Sequence, residues 1–268
     1  MESADEYIDP GFVPPATPAA TLVIFRRDPA GGPPQLLMVE RSAAMNFAGG
    51  AAVFPGGRID PADHALARRL AAPDTDEDAQ IDLAARIAAV RETLEETGLA
   101  VGIDGAVGLE QAIAARALLL EQGALEPVLE RFGWRLAPER LTYFARWRPM
   151  HRHARVFDTR FFLADLGTGA VELVVDATEN THLFWASAAE ALRLADGGKI
   201  KVIFPTRRNL ERLAQFEDFA AARDQAEAIP PQMISPFVAE REGEPWLMIP
   251  DDAGYPVTGE RFATVTRG

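Results

Sequence analysis

The amino-acid sequence predicts an α/β (α+β) fold in which a mixed β-sheet is sandwiched between helices. Three observations carry this expectation. Short β-prone runs and helical stretches are interspersed without the regular βαβ alternation of a doubly wound parallel sheet. A helix-spaced apolar series formed by Leu83, Ile87, Val90 and Leu94 marks one long helix. No internal repeat is present, so the 268 residues read as one elaborated domain with extensions.

Taken in order, residues 1–19 hold Pro10, Pro14, Pro15 and Pro18 with little periodicity, which predicts an extended N-terminal arm. Residues 21–27 (TLVIFRR) and 35–40 (QLLMVE) read as strands around a turn-rich stretch at 28–34. Residues 51–54 predict a further short strand that stops at Pro55-Gly56-Gly57. Helical spacing then runs from 81 to 96, with Gly98 as the C-terminal stop. Residues 109–132 predict one or two more helices, 141–148 and 156–163 two strands, and 181–185 another strand. Helices follow at 188–195 and 206–219, and the Pro-, Gly- and acid-rich tail beyond Pro230 holds one strand at 245–249. The organisation expected is an arm at 1–19, a main domain at 20–229 with an insertion at about 60–82, and a C-terminal extension at 230–268.

Composition narrows the function. A formal net charge of −13 opposes the broad phosphate clamp that nucleic-acid binding needs, so no nucleic-acid partner is expected. A small anionic substrate remains compatible, because an arginine cluster or a bound cation reverses the field locally. With no cysteine, thiolate chemistry and disulfides are excluded. No apolar run reaches the roughly 20 residues of a membrane span, and the acidic start MESADEYIDPGF does not read as a secretory signal. No membrane partner is expected, and cytoplasm is the expected compartment.

The chemistry concentrates on the long helix. At about 100° per residue, Glu96 lies near 40° and Glu95 near 300° from Glu92, opposite the apolar stripe at roughly 160° to 220°. Three carboxylates on one face repel one another, and Glu95 and Glu96 also stand near the negative end of the helix dipole. Arg91 precedes Glu95 by one turn and offsets part of this. An acidic helix face is ordinarily just solvated; a hard cation such as magnesium would neutralise it with carboxylate oxygens, waters and substrate phosphates as ligands. Upstream, Phe54-Pro55-Gly56-Gly57 is a rigid turn whose glycines allow a ligand close to the backbone.

FPGG followed by Arg91-Glu92-Thr93-Leu94-Glu95-Glu96-Thr97-Gly98-Leu99 resembles the box of the Nudix hydrolase superfamily, Gly-x5-Glu-x7-Arg-Glu-hydrophobic-x-Glu-Glu-x-Gly-hydrophobic. The second half matches at Arg91, Glu92, Glu95, Glu96, Gly98 and Leu99. The first half departs from it: Gly57 lies 34 positions before Arg91, so some 20 residues are inserted. Counting back eight from Arg91 lands on Leu83, beside Asp82, so the upstream acid reads as missing or replaced. Thr93 stands where a more apolar residue is usual. An insertion at this place resembles the coenzyme A and acyl-CoA diphosphatase subgroup, as do residues 36–42, 54–60, 144–147 and 157–162.

The resemblance implies a Nudix-type fold and a diphosphatase in which Glu92, Glu95 and Glu96 hold Mg2+ or Mn2+. Its substrate would be a small nucleotide diphosphate such as coenzyme A or acyl-CoA. Glu179 sits where related chains place a catalytic acid, with Asp176 a weaker candidate. Arg41, Phe54, Gly56, Gly57 and Arg58 are the expected substrate-binding residues, and a homodimer is compatible with the resemblance. Arg207 and Arg208 could meet a CoA 3′-phosphate but in an arginine-rich chain read as surface charges, and His151 and His153 read as loop residues rather than a metal pair. Two other readings stay open: a hydrolase of NADH or ADP-ribose, and a nucleotide-sensing module that keeps the fold without turnover.

Overall fold

The computed structural model describes residues 15–42, 48–105, 107–149, 156–166 and 180–266. Eight strands form one mixed sheet: β1 (Ala16–Arg26), β2 (Gln35–Arg41), β3 (Ala52–Val53), β4 (Gly56–Arg58), β5 (Thr142–Trp147), β6 (Val156–Asp165), β7 (Asn180–Ser187) and β8 (Met233–Ile234). β1 lies at its centre, parallel to β6 over ten register pairs from Ala16↔Val156 to Phe25↔Asp165. A second, three-stranded antiparallel sheet is made by β9 (Phe237–Arg241), β10 (Glu244–Met248) and β11 (Gly259–Arg261). The helices are α1 (Pro61–Leu70), α2 (Glu77–Thr97), α3 (Leu109–Gln122), α4 (Leu125–Phe132), α5 (Ala188–Asp196), α6 (Phe204–Leu213) and α7 (Phe219–Ala228).

Strand alternation divides the interior into two cores. From β1, Ala20, Leu22 and Ile24 face the layer of α1 to α4, whereas Val23 and Phe25 face that of α5 to α7. β2 splits likewise, Leu37 and Val39 to the first layer and Leu36 and Met38 to the second. The sheet is therefore covered on both faces, as the interspersed elements predict.

One irregularity of the sheet positions the site. β1 and β2 pair only at Phe25↔Leu36 and Arg26↔Gln35, then diverge. β4 pairs with the free half of β1 (Ala19↔Arg58 to Thr21↔Gly56), and β3 with the free half of β2 (Val39↔Val53, Glu40↔Ala52). Phe54-Pro55 thus spans the fork, and Leu22 N donates to Pro55 O at 2.9 Å. The sequence predicts a stop at Pro55-Gly56-Gly57; instead Gly56–Arg58 is itself a strand.

Several bounds differ from the expectation for identifiable reasons. β1 begins at Ala16, inside the proline-rich stretch, because β6 supplies its backbone partners; residues 1–14 lie outside the described ones. α2 starts a turn before Ile81, where the Asp76 side chain accepts from Ala79 N at 2.8 Å and polar residues hide the periodicity. The helix predicted at 206–219 is two, α6 ending before the Asp218 cap that starts α7. Residues beyond 230 contribute β8 to the main sheet, and Ile234, Leu247, Ile249, Tyr255, Phe262 and Val265 to the second core. Among the described residues, no helix is long and apolar enough to cross a membrane.

Candidate active site

The β3–β4 turn lies against the polar face of α2. Gly56 N donates to Glu96 Oε2 at 3.0 Å. A Cβ on Gly56 would stand 2.3 Å from Ala20 O, so that position requires glycine, and one on Gly57 would stand 2.3 Å from Glu92 Oε1 and have to displace that carboxylate. The backbone of the turn forms one wall of the site and the carboxylates of α2 the other.

Arg91 organises the acids. It is 3% exposed and spreads its donors over Asp63 (Nε to Oδ1, 3.1 Å; Nη2 to Oδ2, 3.1 Å), Arg58 O (Nη2, 2.9 Å) and Glu95 (Nη1 to Oε2, 3.4 Å). Glu92 Oε1 lies 3.0 Å and Asp60 Oδ2 3.7 Å from the same Nη2. Asp63, 1% exposed, also accepts from Asp60 N at 2.9 Å, which fixes the first turn of α1. Burial alone would depress the arginine's pKa, but Glu92, Asp63 and Asp60 together hold it above its ordinary value.

These contacts correct the reading of the upstream acid. Asp82, beside the position counted back from Arg91, pairs with Arg86 at 2.7 Å rather than with the site. Counting forward from Gly57, five residues lead to Asp63, so the first half of the box is Gly57-x5-Asp63 and the extra residues fall after it. They form the rest of α1 and the first turns of α2. The spacing from Gly57 was the signal in the sequence, hidden because Asp stands for Glu.

Glu92 and Glu96 are not on a solvated face. The Glu92 side chain is 15% exposed, and burial pushes its carboxyl up to about 7, with Arg91 opposing and Glu95 adding to the rise. Glu96 is buried, and Glu95 is the most open of the three. Asp60, Asp63, Glu92 and Glu95 gather around the buried Arg91, and Glu96 accepts from Gly56 N beside them, so the site is rich in hard oxygen donors. Among the described residues, no three acids or histidines converge into a ready-made metal cage. The donor set still fits magnesium or manganese, whose remaining ligands are ordinarily waters and phosphate oxygens. Gly57, with no Cβ, leaves room against Glu92.

Beside the turn lies a cavity of about 110 Å³ that Gly56, Phe54 and Arg41 share with Trp147, Phe157 and Phe161. The sequence singled out the first three; the aromatic wall comes from β5 and β6 and was missed. Arg41 Nε is buried without a partner, and Arg41 makes no ion pair among the described residues. Arg58 is exposed, 3.9 Å from Asp60, and lines none of the three main cavities. Arg208 is a buried ion-paired residue rather than a surface charge, bound to Glu211 at 2.9 Å and Glu260 at 3.2 Å, and Arg207 pairs with Asp196 at 2.6 Å. Glu179, Asp176, His151 and His153 lie outside the described residues.

The fold and the acidic helix together define a class, and comparison with solved structures gives the same one. The chain is similar to a Nudix hydrolase from Alicyclobacillus acidocaldarius, at 27% identity and a TM-score of 0.66, over 78% of this chain and 96% of that one. It also matches the Nudix domain of Shewanella oneidensis NrtR complexed with ADP ribose (14% identity, TM-score 0.40, 79% and 96% covered). A MutT Nudix hydrolase from Burkholderia pseudomallei matches as well (16%, 0.40, 74% and 98%). No family profile and no curated protein matches the sequence. The likeness to the first structure, with the RETLEETGL helix packed on FPGG, supports a Nudix hydrolase enzyme.

Proposed function

We propose that the protein hydrolyses the diphosphate bond of a nucleotide-containing metabolite, with coenzyme A or acyl-CoA as the leading substrate class. The observation that carries the reading is the packing of Gly56 and Gly57 on Glu96 and Glu92, with Arg91 clamped by Asp63 behind them. The insertion between Asp63 and Arg91, and the segments that resemble the CoA diphosphatases, support that substrate class.

In this reading Glu92, Glu95 and Glu96 hold a divalent cation, magnesium or manganese. When bound, it neutralises the diphosphate oxygens and lowers the pKa of the attacking water. The chain's own part is positioning. Asp63 holds Arg91, and Arg91 holds Glu92 and Glu95, which narrows the directions that these carboxylates take. Water adds to one phosphorus, the bridging oxygen leaves with the other phosphate, and a carboxylate accepts the water's proton. Glu179 is the residue proposed for that base. Arg41 offers the planar fork that suits a phosphate or a base edge.

Incubating the protein with magnesium and CoA, acetyl-CoA, NADH or ADP-ribose, then separating products, tests this. CoA turnover to adenosine 3′,5′-bisphosphate and 4′-phosphopantetheine is expected. Preferential cleavage of NADH or ADP-ribose would move the substrate within the class. Tight binding with no cleavage would replace catalysis by sensing.

A further inference from the structure

The wall of the aromatic cavity is held from behind by the C-terminal segment. Tyr255, in the loop after β10, is buried in the second core. Its hydroxyl accepts from Trp147 Nε1 at 3.0 Å and donates to Asn209 Oδ1 on α6 at 2.7 Å. The two rings meet edge to face, centroids 5.7 Å apart at 90°. Arg212 lies 5.1 Å from the Tyr255 ring and 4.0 Å from that of Phe144, its Nη1 donating to Phe144 O at 3.0 Å. Trp147 is therefore fixed through its only polar atom, and it also lines the cavity that reaches Gly56, the residue whose N–H holds Glu96.

The cavity's size and lining describe its occupant. At about 110 Å³ it is smaller than the roughly 150 Å³ that accepts benzene, so it takes in the edge of a flat ring system rather than the whole of it. Phe54, Trp147, Phe157 and Phe161 supply aromatic surface on which a base can stack. Arg41 adds a buried donor without a partner, which asks for an acceptor on that ring or on the phosphate beside it.

We infer that Tyr255 is a positioning residue: by its hydrogen bond it fixes the Trp147 indole as the wall of a subsite for the aromatic base of a nucleotide. The C-terminal segment thereby sets affinity for that part of the ligand. The inference rests on the reading of the site as a nucleotide diphosphatase. Replacing the hydroxyl leaves the buried Trp147 N–H without its partner, and the indole must turn or admit water, which reshapes the wall.

The test is calorimetric titration of the 268-residue protein with AMP, a probe that carries base and phosphate but no diphosphate bond. Tyr255→Phe keeps both rings and is expected to weaken AMP binding about tenfold, the loss of one buried hydrogen bond. With a base-bearing diphosphate substrate it raises KM and leaves kcat in place. In a Trp147→Phe background the same substitution is expected to cost nothing further, since its effect runs through the indole. Should Tyr255→Phe not melt cooperatively, Asn209→Ala keeps both rings and is expected to weaken AMP binding about threefold. Wild-type AMP affinity in the variant that folds, or losses that multiply fully with Trp147→Phe, would overturn the inference. Diphosphate cleavage by the wild type with unchanged AMP affinity in Tyr255→Phe sinks it while sparing the proposed activity. Coupled loss of AMP binding in a protein that cleaves no diphosphate spares the subsite and sinks the activity.

Discussion

Arg91 and Glu92 show how one adjacent pair carries both stability and chemistry. The guanidinium is buried, and its partner Asp63 is buried with it, so removing the carboxylate strands a charge. Asp63→Ala is expected to destabilise the protein by about 3–5 kcal/mol, read from urea unfolding; a loss below about 1 kcal/mol would show that the remaining acids suffice for Arg91. Glu92 has the opposite sign. Its carboxyl sits at about 7 in the fold, above an ordinary value of 4.5, so between those values the folded state binds the extra proton. In chelated buffer its contribution is most favourable below about pH 4.5, declines as pH rises to about 7, and stays low above. Glu92→Gln removes that decline and, above pH 7, stabilises the metal-free protein while abolishing turnover. Calorimetric melting of both proteins from pH 5 to 8 checks this, and parallel curves would refute it. Glu96→Gln is expected to lower turnover by about two orders of magnitude or more with the melt preserved; an unchanged rate removes the α2 acids from the mechanism.

At the scale of elements, the short strand β4 and the helix α2 make the site by close approach. Gly57→Ala drives a methyl into the Glu92 carboxylate, so circular dichroism should show intact helix while activity falls about 100-fold, as a displacement near 1 Å does elsewhere. Activity within twofold of wild type would mean that Glu92 is free to move aside. α2 is legible because Ile87, Val90 and Leu94 fall on one buried face, and its end because Gly98 takes a left-handed φ of 74°. Its first turn is not, since a cap on Asp76 rather than an apolar residue starts it. β4 is illegible for a related reason: Gly56–Arg58 has no side-chain alternation, and the fork between β1 and β2 supplies its pairing. A helical wheel separates polar from apolar residues, but it does not reveal that a turn from elsewhere covers the polar side. The wheel alone therefore leaves a solvated face open for Glu92 and Glu96, where the fold leaves Glu92 only partly exposed and buries Glu96. The aromatic wall was out of reach because Trp147, Phe157 and Phe161 meet beside Phe54 only through strand order.

Across the whole molecule, the segment after residue 229 decides whether a core exists on one face of the sheet. Composition sets it apart as an extension, and its prolines and acids look like a tail. In the fold, Ile234, Leu247, Ile249, Tyr255, Phe262 and Val265 are buried in the same core as Phe25, Phe144 and Trp147. Burying one large apolar side chain contributes about 1.5–3 kcal/mol, so six of them amount to something on the order of 10 kcal/mol. That is comparable with the whole net stability of an ordinary domain, about 5–15 kcal/mol. A chain ended at Ile229 also uncovers the free edge of β5 that β8 now pairs, and leaves Trp147 Nε1 without Tyr255. Such a chain is expected to show no cooperative thermal transition and to bind hydrophobic dye, with the acidic helix and the FPGG turn present in sequence but no longer held together. If it melted sharply within a few degrees of the 268-residue protein, the tail would be a separable appendage, and the link from Tyr255 to the cavity wall would lose its structural basis.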